Sequence, residues 1–339
     1  DASPLVDENN FTNLPEKPEN PSNVANIGRL ERGNLEEGFA AADIVIEREF
    51  KCPMAHQGYI EPHACVAEVS ADGMATIWSS SQGQFMVRAQ VAKLCAMNAS
   101  KIKVVPSEIG GGFGGKTLVY LEPLALLLSK KSGRPVKMVM TREEVLRATG
   151  PTSGGHARAK IGAKKDGTFV AAELEMEYEA GAFPGSPVKL GCMTGFAPYN
   201  LEHVSCIGWD VVVNRPKAAA YRAPGAPVAA FAVESAIDEL ADKLGIDPLE
   251  LRIKNAAVEG TRAPYGVKFP KIGCLETLRA AQATEHYNIP LGPNQGRGVA
   301  SGFWFNIGGQ SSASVMVNPD GTVIVATGSP DIGGSRASM

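Results

Sequence analysis

Residues 108–120 read EIGGGFGGKTLVY, and Gly110 through Thr117 satisfy the phosphate-loop spacing G-x-x-x-x-G-K-[ST]. In such a loop, successive backbone N–H groups turn inward on a phosphate, the Lys reaches the terminal phosphates and the hydroxyl holds magnesium. Lys116 and Thr117 stand in those places. Five of these eight residues are glycine, so many glycine-spaced patterns match as well. A phosphate-loop fold also needs a second strand ending in Asp for the metal, whereas the nearest buried-type run, VKMVMT, ends in Thr141. A second reading uses the same amides for an anionic or oxo oxygen, with Phe113 shaping a pocket wall. A third is a plain turn that permits tight helix–strand packing. The residue chemistry leaves all three open.

Other reactive residue types are scattered. None of the six cysteines, Cys52, Cys65, Cys95, Cys192, Cys206 and Cys274, forms a C-x-x-C pair. That speaks against a zinc ribbon or iron–sulfur site and favours a reducing, cytoplasmic setting with cysteine as a small core residue. His63 and Cys65 could pair on a metal but have no second pair nearby. Glu61 and Glu108 read as structural rather than as a general base.

These residues need a scaffold. The chain of 339 residues is 44% hydrophobic and 20% charged, with a formal net charge of -3. It reads as globular, with no basic surplus for nucleic acid and no apolar run long enough to span a membrane. The acidic, polar start lacks the order of a signal peptide. NLEEGFAAAD (34–43) predicts a helix and IVIEREFKC (44–52) a strand. Asp72-Gly73, Asp166-Gly167 and Asp320-Gly321 each sit between alternating runs and predict hairpins. Residues 84–98 and 228–244 carry apolar residues at helical spacing. LVYLEPLALLLSKKSG predicts a helix ended by Gly133, and DPLELRIKNA one capped by Asp247. Long antiparallel pairs beside separate helices predict an α+β fold. Residues 1–32 read as a linker or arm, 33–295 as one domain, and 296–339 as the cut-off start of a second.

Taken together, GGGFGGK, the SSQ upstream of it and AYRAPGAP…AFAVESAIDELA downstream resemble the molybdenum-binding subunit of the molybdenum hydroxylases, the xanthine dehydrogenase and aldehyde oxidase family. The resemblance runs from Gly33 to Met339 and includes HQGYIEPHACVAEV, SGRPVKMVMTREE and NPDGTVIVATGSPDIGG. It implies a first molybdopterin-binding domain followed by the start of a second. It also implies oxidation of an aldehyde or heterocycle with water-derived oxygen. The cofactor is molybdopterin, with the cytosine dinucleotide form as an option. Electrons leave to iron–sulfur and FAD partner subunits. By resemblance, Gln82, Gly112, Phe113, Gly114 and Arg222 bind the cofactor. Of these, Gln82, Phe113 and Arg222 stand around molybdenum without ligating it. An amide, backbone N–H groups and a guanidinium are the donors that an oxyanion-like centre needs. Phe303, Pro224 and Thr117 fall at substrate-pocket positions.

The pattern also departs from the family. Purine-oxidising members carry Glu where Thr117 stands and an aromatic where Pro224 stands, and carbon monoxide dehydrogenases carry Cys where Ala223 stands. Those departures leave an aldehyde, a nicotinate-like heterocycle or an aromatic thioester. The family's catalytic Glu belongs to a later segment, so no catalytic base is expected here. The chain is expected to need the remaining part of its subunit for activity. A phosphate-loop nucleotide-binding protein and a non-catalytic assembly scaffold stand as the alternatives.

Overall fold

The computed structural model describes residues 22–305 and 313–333. Strands follow the chain as β1 Val24–Arg32, β2 Ile44–Cys52, β3 Ala64–Val69, β4 Ala75–Ser79, β5 Ile102–Pro106, β6 Val136–Val139, β7 Gly155–Ala163, β8 Phe169–Gly181, β9 His203–Val212, β10 Ala313–Val317 and β11 Val323–Thr327. Helices are α1 Leu35–Ala40, α2 Gln84–Leu94, α3 Glu122–Ser132, α4 Arg142–Ala148, α5 Val188–Thr194, α6 Ala226–Leu244, α7 Pro248–Asn255, α8 Cys274–Gln282 and α9 Glu285–Asn288. The fold is α+β, and the chain forms two compact units. Among the described residues no helix is long and apolar enough to cross a membrane.

The first unit comprises the described parts of Asp1–Ala55, Ser153–Ala218 and Ala223–Phe305. Its five-stranded sheet has the order β1-β9-β8-β7-β2. Only the β8–β9 pair is parallel. Along β8, Leu174, Met176 and Tyr178 are buried, while Glu173, Glu175 and Glu177 take the other face. This alternation marks a sheet covered on one side. The cover is α6, whose Val233, Ile237 and Leu240 are fully buried, together with α5. Gly245 ends α6 in the left-handed conformation, and Asp247 caps α7 through the Leu249 and Glu250 amides.

The second unit comprises His56–Thr152, Ala219–Arg222 and the described part of Asn306–Met339. Its four-stranded sheet has the order β5-β4-β3-β6. The core is built on Ile77, Val87, Val91 and Leu126, all fully buried. A capping box between Thr141 and Glu144 starts α4. The β10–β11 hairpin exposes every residue of both strands.

Several expectations need correcting. Residues 24–32 are a sheet strand, not part of an arm; residues 1–21 of that expected arm lie outside the described residues. The β1 strand escapes the alternation rule because it is an edge strand with small inward residues. Gly28 passes so close beneath Lys189 of α5 that an added Cβ would meet its Cγ at 2.8 Å. The VKMV run is not a buried strand but the half-exposed edge β6. The sequence reading missed α4 and α5. By compactness, the run 33–295 contributes to both units; that division into units does not test the domain boundaries read from the sequence.

Candidate functional site

The glycine loop leaves β5 and wraps around one side chain of the same unit. Gln82 Oε1 accepts from Gly114 N at 2.8 Å and Lys116 N at 3.2 Å, while Gln82 N donates to Lys116 O at 3.0 Å. The loop can approach this closely only because it lacks side chains. A Cβ on Gly112 would lie 2.5 Å from Gln82 Oε1. Gly114 has φ +102°, and its Cβ would lie 2.7 Å from Ala220 O. Phe113 lies between them in the left-handed region at φ 52°, where a bulky residue is held only by its surroundings. Those surroundings are visible: Phe113 O accepts from Arg222 N at 2.8 Å, and the Phe113 ring meets Tyr221 edge-on at 6.4 Å between centroids.

The arrangement leaves a set of unspent donors. Among the described residues, the amides of Gly111, Gly112 and Phe113 make no hydrogen bond. The same holds for Gln82 Nε2, since the Gln82 bonds run through its oxygen and its backbone. The Arg222 guanidinium is exposed and unpaired among the described residues. Gln82, Gly112, Phe113, Gly114 and Arg222 therefore belong to one compact unit. The loop amides, Gln82 Nε2 and the Arg222 guanidinium among them are donors, and such donors can stabilise oxygen-centred negative charge.

The three pocket positions behave differently. Thr117 sits in this unit, but its hydroxyl donates to Gly114 O at 2.8 Å and so serves the loop itself. Phe303 and Pro224 belong to the other unit. There Phe303 packs into an aromatic cluster, with ring centroids 5.2 Å from Phe305 and 5.7 Å from Phe269. That is ordinary packing within its own unit.

The phosphate-loop reading fails on Lys116. Its side chain is fully buried, and Nζ lies 2.6 Å from Glu61 Oε2 and 5.1 Å from the centre of the Tyr59 ring. Burial lowers the Lys116 pKa, and the hydrogen bond and charge of Glu61 work against that shift. A 3₁₀ turn, Gly115–Thr117, follows the loop, and α3 starts only at Glu122, so no helix N-terminus opens directly behind the glycines. At the opposite edge of the sheet from β5, β6 pairs antiparallel with β3, unlike the parallel interior strand of a nucleotide-hydrolysing sheet.

Glu61 has a structural part, since Oε2 also accepts from Gly110 N at 2.9 Å. Behind it, Tyr59 OH lies 2.8 Å from His63 Nε2 and 3.1 Å from Thr149 Oγ1. Burial, with help from the Lys116 charge, holds the His63 pKa down to about 4. Cys65, the other member of the suggested metal pair, is pushed up to about 12 by burial. Among the described residues no three His, Cys, Asp or Glu side chains cluster as a metal site. The sequence reading missed Tyr221, which adjoins Arg222 in the AYRAPG motif, and Gln57, which lies in the HQGYIEPHACVAEV segment.

Comparisons with known proteins identify the family of the chain. A family model described as molybdopterin cofactor-binding domain matches residues 16–256. The nicotinate dehydrogenase large molybdopterin subunit of Eubacterium barkeri is 32% identical over 260 residues, covering 75% of this chain and 60% of that protein. The xanthine dehydrogenase molybdenum-binding subunit of Escherichia coli O157:H7 is 31% identical over 325 residues, covering 90% of this chain and 43% of that protein. Among solved structures, the aldehyde oxidoreductase of Desulfovibrio gigas superposes with a TM-score of 0.80 at 28% identity, covering 94% of this chain and 36% of that one. The chain spans between 34% and 60% of the length of the first relatives it matches.

Proposed function

The chain belongs to the molybdopterin cofactor-binding domain family, and from that membership we propose that it forms one wall of the cofactor site in a molybdenum hydroxylase. The enzyme would oxidise an aldehyde or an aromatic heterocycle with oxygen derived from water. Electrons would pass to iron–sulfur and flavin partner subunits. The observation that carries the reading is the set of unspent donors at Gly111, Gly112, Phe113, Gln82 Nε2 and Arg222 within one unit.

Those residues fit an oxygen-rich molybdenum centre. The loop exposes amide hydrogens, and Glu61, the carboxylate that touches it, is neutralised by Lys116. When bound, molybdopterin supplies the redox chemistry and the oxygen transfer. The residues of this chain orient it. Gln82 donates through Nε2 while Oε1 keeps the loop wrapped, the amides of Gly112 and Phe113 donate alongside, and Arg222 contributes positive charge. The Phe113 ring stands 45% exposed beside these amides. Preorganised donors of this kind act without reorganisation cost when charge develops.

The names of relatives support the substrate class: nicotinate dehydrogenase, aldehyde oxidoreductase and xanthine dehydrogenase. Thr117 and Pro224 speak against a purine. The finer assignments stand on resemblance: a first cofactor-binding domain over 33–295 with a second beginning at 296, a cytosine dinucleotide form of the cofactor, and a cytoplasmic location.

The test is turnover of the complete enzyme carrying Gln82→Ala or Arg222→Ala, with molybdenum content measured alongside. Losing one preorganised donor costs roughly 10²–10³ in rate. Wild-type turnover in both variants would make these residues structural and overturn the assignment.

A further inference from the structure

One side chain behind the glycine loop joins segments far apart in sequence. Gln57 is 5% exposed. Its Nε2 donates to Gly150 O and to Ala220 O, each at 3.0 Å. Its Oε1 is buried and has no partner among the described residues. Turning the amide over would aim an oxygen at two carbonyl oxygens, so the two acceptors fix its orientation. A buried acceptor left unpaired is unfavourable. The carboxamide is therefore held in place by what its NH₂ group binds.

What it binds is the four-residue excursion Ala219–Arg222, which the chain inserts into this unit between two stretches of the other. Three hydrogen bonds tie that excursion down. Ala219 N donates to Pro151 O at 2.8 Å, Arg222 N donates to Phe113 O at 2.8 Å, and Ala220 O receives Gln57 Nε2. Of the three, only the last comes from a side chain. Ala220 O is also the atom that closes on Gly114, 2.7 Å from where a Cβ would stand, and the Gln57 carboxamide carbon lies 3.0 Å from the corresponding point on Gly115. Gln57 thus touches both sides of the seam between the excursion and the glycine loop.

We propose that Gln57 is a positioning residue that pins Ala219–Arg222 onto the glycine loop and so sets where Arg222 and Phe113 stand. Only the consequence for turnover rests on the function proposed above; the positioning itself does not.

The test uses the 339-residue chain without cofactor and reads amide hydrogen exchange. Gln57→Leu removes both donated bonds. The Arg222 and Ala219 amides are expected to exchange roughly five- to tenfold faster, the loss from about one net hydrogen bond. The Met140 amide, which donates to His63 O at 2.9 Å elsewhere in the unit, should keep its protection. Gln57→Glu supplies the discriminating readout. As a carboxylate it repels both carbonyls, whereas in the protonated form it donates to one of them. Arg222 protection should therefore be low at high pH and recover as pH falls. Unchanged Arg222 protection in Gln57→Leu, or its loss together with that of Met140, would overturn the proposal. Absence of molybdenum from the complete enzyme would remove the functional reading and leave the exchange result standing.

Discussion

Glu61 Oε2 lies 2.6 Å from Lys116 Nζ and 2.9 Å from Gly110 N, so one carboxylate closes both ends of the glycine loop. The lysine that completes a phosphate-loop pattern is thereby the loop's internal fastener. The amides between Gly110 and Gly114 are left facing elsewhere.

Lys116→Ala is expected to leave no ATP–magnesium binding to lose, and to destabilise the chain by about 1–3 kcal/mol. Breaking a fully buried pair costs roughly 3–5 kcal/mol, and the lower range follows because the Glu61 side chain is 34% exposed. Denaturant unfolding and titration calorimetry check the two parts. Micromolar ATP affinity in the wild type that disappears in the variant would reverse the assignment of the motif.

Gly114→Ala is expected to be worse than Gly112→Ala for folding. At Gly114 the backbone is left-handed and the new Cβ meets a carbonyl oxygen, whereas at Gly112 it meets the movable end of Gln82. The first substitution should cost about 1–3 kcal/mol in strain. The second should mainly displace the Gln82 amide and lower cofactor retention in the complete enzyme. Thermal unfolding and molybdenum content separate the two effects. Equal stability losses would mean that the contact with Ala220 does not constrain the loop.

His63 predicts a pH dependence. Its folded pKa, about 4, lies below the ordinary histidine value of roughly 6.5. Above that ordinary value both folded and unfolded forms are neutral and the stability is fully present. As pH falls from about 6.5 toward about 4 the unfolded chain takes the proton first, and stability drops by roughly 3 kcal/mol at most. Below about 4 this loss levels off. Unfolding free energies at pH 7 and pH 4.5 should therefore differ more for the wild type than for His63→Gln. Equal differences would show that the ring takes up its proton as readily in the folded chain as in the unfolded one.

Much of the scaffold was legible because its signals are local. The Asp-Gly turns at 72, 166 and 320 each join an antiparallel pair, and Gly133, Gly245 and Asp247 end or start helices where their chemistry places them. The β1 strand was hidden because an edge strand needs only one paired side, and α5 because VKLGCMT is short and contains a glycine. The interleaving of the two units was illegible for a different reason. Nothing in KAAAYRAPG announces that four of its residues leave one unit for the other. The same holds for the loop: the letters GGFGGKT admit a phosphate site, and only the distant Glu61 and Gln82 decide where the lysine and the amides go.

The central claim is that the loop's free amides, Gln82 and Arg222 serve molybdopterin. The most direct measurement is the molybdenum and pterin content of the purified complete enzyme that contains this chain. Stoichiometric molybdenum with pterin, sharply reduced by Gly112→Ala, is the predicted result. Wild-type enzyme that carries neither while remaining folded would contradict it.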